Sequence, residues 1–329
     1  MKKTLLLFMS LLTSTTILAA SKMVTVVYNG TTATVTIPND LTGYVTCSSG
    51  SSSHVKLVQS DDVSESTTDE IIYSLSGSST DGEFYMEGSF KATIQLGGLT
   101  LTNPKGPALN IQDGKRIKVS IKNSTTNTLT DGTNEDYNGC IHCKGHTEFA
   151  GKGTLNVTGN SKHAIYSKEY VEIKNCTINI TDAQKDGIHC KEYFLMESGT
   201  VTISKAGDDG IQVELDGTTS TGIKTDHEDE DTGNFYMEDG KLTISGCTAY
   251  AIKADGSIKN TGGTRNITGD ILENATSGIS SILTETSGPT VIYDLHGRQM
   301  PNSATLPKGI YLIREGKKTK KVIVRSYHP

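Results

Sequence analysis

The chain has 329 residues, 34 of them glycine, 7 proline and none tryptophan, with 21% charged and 34% hydrophobic side chains. That balance excludes a collagen-like chain, a wholly disordered one and a multi-span membrane protein. The net charge of −6 conceals a division: Lys2 and Lys3 give the start +2, residues 288–329 carry +6, and the stretch between holds −14. A body this acidic repels nucleic acid and anionic membranes, so a polyanionic partner would need a bridging cation.

Residues 1–20 read as a secretory signal. Lys2 and Lys3 form the charged start, Leu5 to Leu12 the apolar centre and Ala19-Ala20 a small-residue cleavage site. The apolar run is far shorter than the roughly 18–20 residues a membrane span needs. No other segment suits a span, so no transmembrane segment is expected, and the mature chain is expected outside the cell or on its outer surface.

The body becomes legible through a repeat. Ile165, Ile188 and Ile211 are spaced by 23 residues, Ile141 precedes by 24, and Ile252 follows by 41, across an insertion holding Asp226-His227-Glu228-Asp229-Glu230-Asp231. A fixed period of this length signals stacked repeats. Within one repeat, Gly187-Ile188-His189-Cys190, Tyr193-Phe194-Leu195-Met196 and Thr200-Val201-Thr202-Ile203-Ser204 are short alternating runs divided by turn residues, and none is long enough for a helix. Three strands per repeat, stacked by parallel pairing, predict an all-β, right-handed parallel β-helix of three-sided coils over residues 21–270. Its first part, before about Glu70, is read as a cap that no motif explains.

Stacking converts columns of sequence into rows about 4.8 Å apart. The five isoleucines form an inward ladder, and two residues on Cys143, Ser167, Cys190, Val213 and Ala254 form another. Cys143 and Cys190, two coils apart, are too distant for a disulfide, so buried free thiols are expected. Cys140 and Cys143 are expected on opposite faces, which disfavours a zinc or redox pair.

The intervening outward row is His142, Tyr166, His189, Gln212 and Lys253, and beyond it runs Lys144, Lys168, Lys191 and Glu214. Planar rings beside cations suit an extended polysaccharide, the rings covering sugar C–H surfaces and the polar groups fixing hydroxyls or acids. His142, Lys144, Tyr166, Lys168, His189 and Lys191 are therefore the candidate ligand-binding residues. The same rows also suit a plain solvated strand face.

In the turn before the ladder, Asp186 and Asp209 fall one coil apart in one column, with Asp208 adjacent. Stacked carboxylates are unfavourable without a cation, and hard oxygen donors select Ca²⁺ or Mg²⁺. Asp186, Asp208, Asp209 and Glu214 are thus the candidate metal ligands, with Ca²⁺ the expected ion. Ordinary Asp-Gly turn chemistry is the plainer reading of the same residues. No nucleophile, nucleotide loop or haem motif marks a catalytic residue.

Residues 271–288 read as a Ser/Thr/Gly-rich linker, and residues 289–329 as short strands joined by a Pro/Gly turn. The terminal segment carries Tyr293-Asp294 with Gly297-Arg298, then Leu306 with Gly309-Ile310-Tyr311, then a basic finish. It resembles the C-terminal sorting domain of type IX secretion in Bacteroidetes. That resemblance implies transport across an outer membrane and surface anchoring through the tail.

Residues from about Glu70 to Gly269 carry a second resemblance. Ser167-Lys168-Glu169-Tyr170-Val171-Glu172-Ile173, Lys185-Asp186-Gly187-Ile188-His189 and Asp208-Asp209-Gly210-Ile211-Gln212, with Ile72-Tyr73-Ser74-Leu75-Ser76-Gly77 upstream, resemble the carbohydrate-binding-domain β-helix proteins of Bacteroidetes and clostridia. That family is similar to calcium-dependent pectate lyases. The resemblance implies a calcium-containing β-helix that binds acidic plant polysaccharide such as polygalacturonate. The lyases' Asp-Asp-Gly-Ile-Asp calcium motif is matched at Asp208, Asp209, Gly210 and Ile211, but the fifth position is Gln212. A non-catalytic binding protein is therefore expected, with a pectate lyase using Lys191 or Lys205 as base, or a structural adhesin, as the alternatives.

Overall fold

The structure, a computed structural model, describes residues 22–217, 231–275, 290–294, 296–300, 309–315 and 318–324. The signal segment, the run 226–230 and residues 276–288 of the linker lie outside the described residues.

The body is an almost entirely β solenoid whose strands pair in parallel, coil on coil. One strand column runs from His54–Gln59 through Leu109–Gln112, Gly139–Cys143, His163–Ser167, Ile188–Lys191, Ile211–Glu214 and Tyr250–Ala254 to Asp270–Leu272. The other two columns share a second sheet, because the long strand Ala92–Asn103 serves both. Its first half pairs with Ile117–Ile121 and its second half with Thr126–Asp131.

Alternation of apolar and polar residues builds each strand. In Thr154–Gly159 every second residue is buried, so one face packs inward while the other meets solvent. The isoleucine ladder stacks in register, Ile141 on Ile165, then Ile188, Ile211 and Ile252. Leu109, Phe84 and Val55 extend it upstream, and all of these side chains are fully buried.

The segment before residue 70 forms the first strands of both sheets. Met23–Asn29 lies parallel to Ile71–Ser79 and folds back on Thr32–Thr36, while Val45–Cys47 pairs antiparallel with His54–Gln59. Antiparallel hairpins at this end occupy the edges that a parallel stack would otherwise leave open.

The coils approach closely at the corner leading into the site column. A Cβ added at Gly187 would stand 2.7 Å from the carbonyl oxygen of Gly210, and one at Gly210 would stand 2.5 Å from that of Ala251. This corner also corrects the expectation for Cys140. Alternation would turn it away from Cys143, yet both are fully buried in one core cluster, because the column of Ala108, Cys140, Ala164, Gly187 and Gly210 sits at the corner where each strand begins and is covered by the neighbouring coils. All six cysteines are free thiols. Burial raises the Cys140 thiol well above its ordinary range and pushes Cys143 up to about 12, which disfavours the thiolates that metal or redox chemistry needs.

The C-terminal strands Thr290–Asp294, Gln299–Met300, Gly309–Glu315 and Lys318–Val324 form a separate antiparallel sheet. Its turn is built by Asp294, which accepts hydrogen bonds from the backbone of His296 and Arg298 and from the Arg298 side chain. Among the described residues no helix is long and apolar enough to cross a membrane.

Candidate functional site

The outward row of the site column forms a continuous stack. The ring of His142 lies 5.2 Å from that of Tyr166, nearly parallel at 12°, and Tyr166 lies 5.5 Å from His189. Close coil spacing buries much of this row: His142 is 6% exposed and His189 8%, whereas Tyr166 is half-buried. Burial, with Lys144 and Lys162 nearby, lowers His142 to about 4, so its ring is neutral near pH 7.

Lys144 and Lys168 stand exposed beside this stack. Lys191 differs, because its Nζ lies 3.1 Å from Asp216. Burial would lower its pKa, but the hydrogen bond and charge of Asp216 prevail and raise it. Lys205 bonds Asp182 at 2.6 Å. Neither lysine is placed as a free neutral base.

The predicted carboxylate column is present. Asp186, Asp208 and Asp209 bring ligand oxygens within 4.8 Å of one another, with Asp186 and Asp209 each 1% exposed and Asp208 open to solvent. Glu214 stands apart from the three. Its Oε2 is 3.4 Å from His189 Nε2, and its Oε1 accepts from Gln212.

Much of this charge is met by the protein itself. Oδ1 of Asp186 accepts the backbone N–H of Asp209, and Oδ1 of Asp209 accepts that of Tyr250, so each aspartate ties its turn to the next coil. Oδ2 of Asp186 is 2.9 Å from His189 Nδ1, and Oδ2 of Asp209 is 3.5 Å from Lys253 Nζ. His163 Nδ1 lies 3.1 Å from the same Asp186 oxygen and 3.2 Å from the Asp186 backbone nitrogen, and its tautomer decides which it serves. Burial works against both charges of the Asp186–His189 pair. Hydrogen bonding overrides it, holding Asp186 far below the carboxylate range and raising His189 to about 9 with help from Glu214.

Two groups at this face were missed in the sequence. His163 belongs to the Asp186 column, and His146, Glu169 and Glu192 form a further cluster. The signal for both was the period: 163, 186 and 209 are spaced by 23, as are 146, 169 and 192. Columns of unlike residues do not stand out as the isoleucines do.

A parallel solenoid with rings, lysines and carboxylates along one strand face defines a class of extended-ligand scaffold. Residues 61–288 match the carbohydrate-binding domain-containing protein family, and the chain belongs to that family. A carbohydrate-binding domain-containing protein of Acetivibrio thermocellus is 25% identical over 112 residues, which is 31% of this chain and 39% of that relative's length. The solved structure of a polysaccharide lyase-like protein from C. thermocellum, a gadolinium derivative, aligns with a TM-score of 0.53 at 19% identity, covering 76% of this chain and 99% of that one. This likeness is one of fold.

Proposed function

We propose that the chain binds an acidic polysaccharide, polygalacturonate or a similar pectin, without cleaving it. One observation carries the reading: a half-buried Tyr166, held between the rings of His142 and His189, is flanked by exposed Lys144 and Lys168 one coil apart. With both ring faces covered, the edge and hydroxyl of Tyr166 beside two cations suit the hydroxyl and uronate groups of an acidic sugar chain. The engaged lysines 191 and 205 support binding over elimination, which needs a free base.

Calcium is the proposed bridge between this acidic body and a uronate chain. Asp208 and Asp209 are the fitting hard-oxygen donors, with Lys253 as the competitor a cation would displace from Asp209. Asp186 is a poorer ligand because both its oxygens are engaged. On this reading the body is a right-handed β-helix, exported by its N-terminal signal and held at the surface through a type IX sorting tail.

The test is retention of polygalacturonate with and without calcium, while absorbance is followed for unsaturated uronide. Calcium-dependent retention without product is expected, and D208N should weaken the calcium dependence. Product that vanishes with a chelator would make the protein a lyase. Absence of retention in either condition would remove the acidic-polysaccharide reading and favour an adhesin.

A further inference from the structure

The corner between the site column and the next strand column carries a cluster distinct from the Asp186 network. His146 Nε2, a Glu169 carboxylate oxygen and a Glu192 carboxylate oxygen lie within 4.8 Å of one another. They come from three successive coils, in the turns after Gly139–Cys143, His163–Ser167 and Ile188–Lys191. His146 ion-pairs with Glu169, and its Nε2 is 3.6 Å from Glu192 Oε2.

Three observations mark this cluster as more than surface charge. Oε2 of Glu192 is buried and has no hydrogen-bond partner, although its side chain is 15% exposed and the cluster opens to solvent. A buried carboxylate oxygen without a donor is costly unless a proton or a cation meets it. The His146 ring is held in place by stacking on Tyr170, with centroids 4.3 Å apart and planes within 10°. The acidic groups are also in excess: Glu169, Asp231 and Asp216 all act on Glu192, with His146 the opposing charge.

We propose that His146, Glu169 and Glu192 form a binding site for a first-row transition-metal dication, zinc being the test ion. One imidazole and two carboxylates match the mixed nitrogen and oxygen donors that zinc accepts, and two anionic ligands balance its charge. Calcium, which takes 6–8 oxygen ligands, is poorly served by three donors of which one is nitrogen. Bound metal would clip three coils together close to Asp216 and Asp231, whose charges both act on Glu192. This site stands independently of the polysaccharide reading.

The experiment is calorimetric titration of the full chain with zinc chloride in calcium-containing buffer, repeated with cobalt(II) to read the coordination geometry from its d–d absorption spectrum. The parent should bind one equivalent of zinc, and its thermal midpoint should rise on loading. H146Q, E169Q and E192Q should each weaken binding by about tenfold or more, and H146Q should change the position and intensity of the cobalt bands. E197Q, which alters a separate carboxylate paired with Lys174, should leave zinc affinity unchanged. Cooperative urea unfolding identifies any variant that fails to fold, and the parent's cobalt spectrum is a readout independent of the variants. Failure of the parent to take up zinc, full displacement by calcium, or loss in E197Q with retention in folded E192Q would each overturn the assignment.

Discussion

Nδ1 of His189 stands 2.9 Å from Oδ2 of Asp186, and both side chains are almost completely removed from solvent. The pair sits where one coil turns into the next, and the second carboxylate oxygen of Asp186 holds the backbone of Asp209. One ionised aspartate therefore serves as ion-pair partner, turn cap and link between coils.

D186N removes the charge while keeping the side-chain volume. It leaves His189 buried with only Glu214 as an anionic partner and weakens the bond to the Asp209 N–H. Breaking a buried pair by altering one member costs about 3–5 kcal/mol. Urea unfolding should show a loss near the lower figure, and a loss below about 1 kcal/mol would show that the pair behaves as an exposed one.

The raised His189 pKa fixes the sign of a pH effect. Below about 6.5 the imidazole is protonated in both folded and unfolded chains, and the pair's stabilisation is fully present. As pH rises toward about 9, the unfolded chain loses its proton first, so stability falls across this window by up to about 3 kcal/mol. The difference between parent and H189Q unfolding free energies, measured from pH 6 to pH 9.5, should shrink with rising pH; a constant difference would count against a raised pKa.

Polysaccharide binding should respond differently to ring and charge. Y166A removes the exposed ring edge and hydroxyl and is expected to weaken polygalacturonate retention by about fivefold at any salt concentration, from the loss of roughly 1 kcal/mol of hydrogen-bonded contact. K144Q with K168Q should weaken it at low salt and much less at high salt, because exposed charges are screened. Equal salt dependence for Y166A and the double lysine variant would contradict this division of roles.

Gly210 tests the close packing of coils. An alanine Cβ there would lie 2.5 Å from the Ala251 carbonyl oxygen and 2.7 Å from a methyl of Ile244. Neither backbone nor core can yield freely, so G210A should destabilise by about 1–3 kcal/mol. An alanine at Gly114, where no atom lies within 4 Å of the added Cβ, should leave the thermal midpoint nearly unchanged.

Much of the scaffold was legible because its period is carried by residues of one kind. Isoleucine recurs at 141, 165, 188, 211 and 252 since the interior takes an apolar side chain at each level, and the insertion merely lengthens one interval. The carboxylate column of Asp186 and Asp209 was legible for the same reason. Its partners were not: Lys253 and His163 reach these aspartates across coils, and their contacts depend on side-chain conformation. Cys140 misled because alternation decides which way a side chain points, while at this corner all five residues of Gly139–Cys143 are buried. Residues 22–70 share the alternation of strands but not the 23-residue period, so their place at the end of both sheets was hidden.

Spacing and residue type thus determine the parallel stacking and bring Tyr166, Lys144 and Lys168 onto one face, since register follows once inward and outward residues are assigned. Burial and pairing are decided by the packed coils. Only at close coil spacing do His142 and His189 become nearly inaccessible, Lys191 become committed to Asp216, and His146, Glu169 and Glu192 converge from turns 23 residues apart. These outcomes depend on distances of a few ångströms between long side chains, which a linear pattern does not encode.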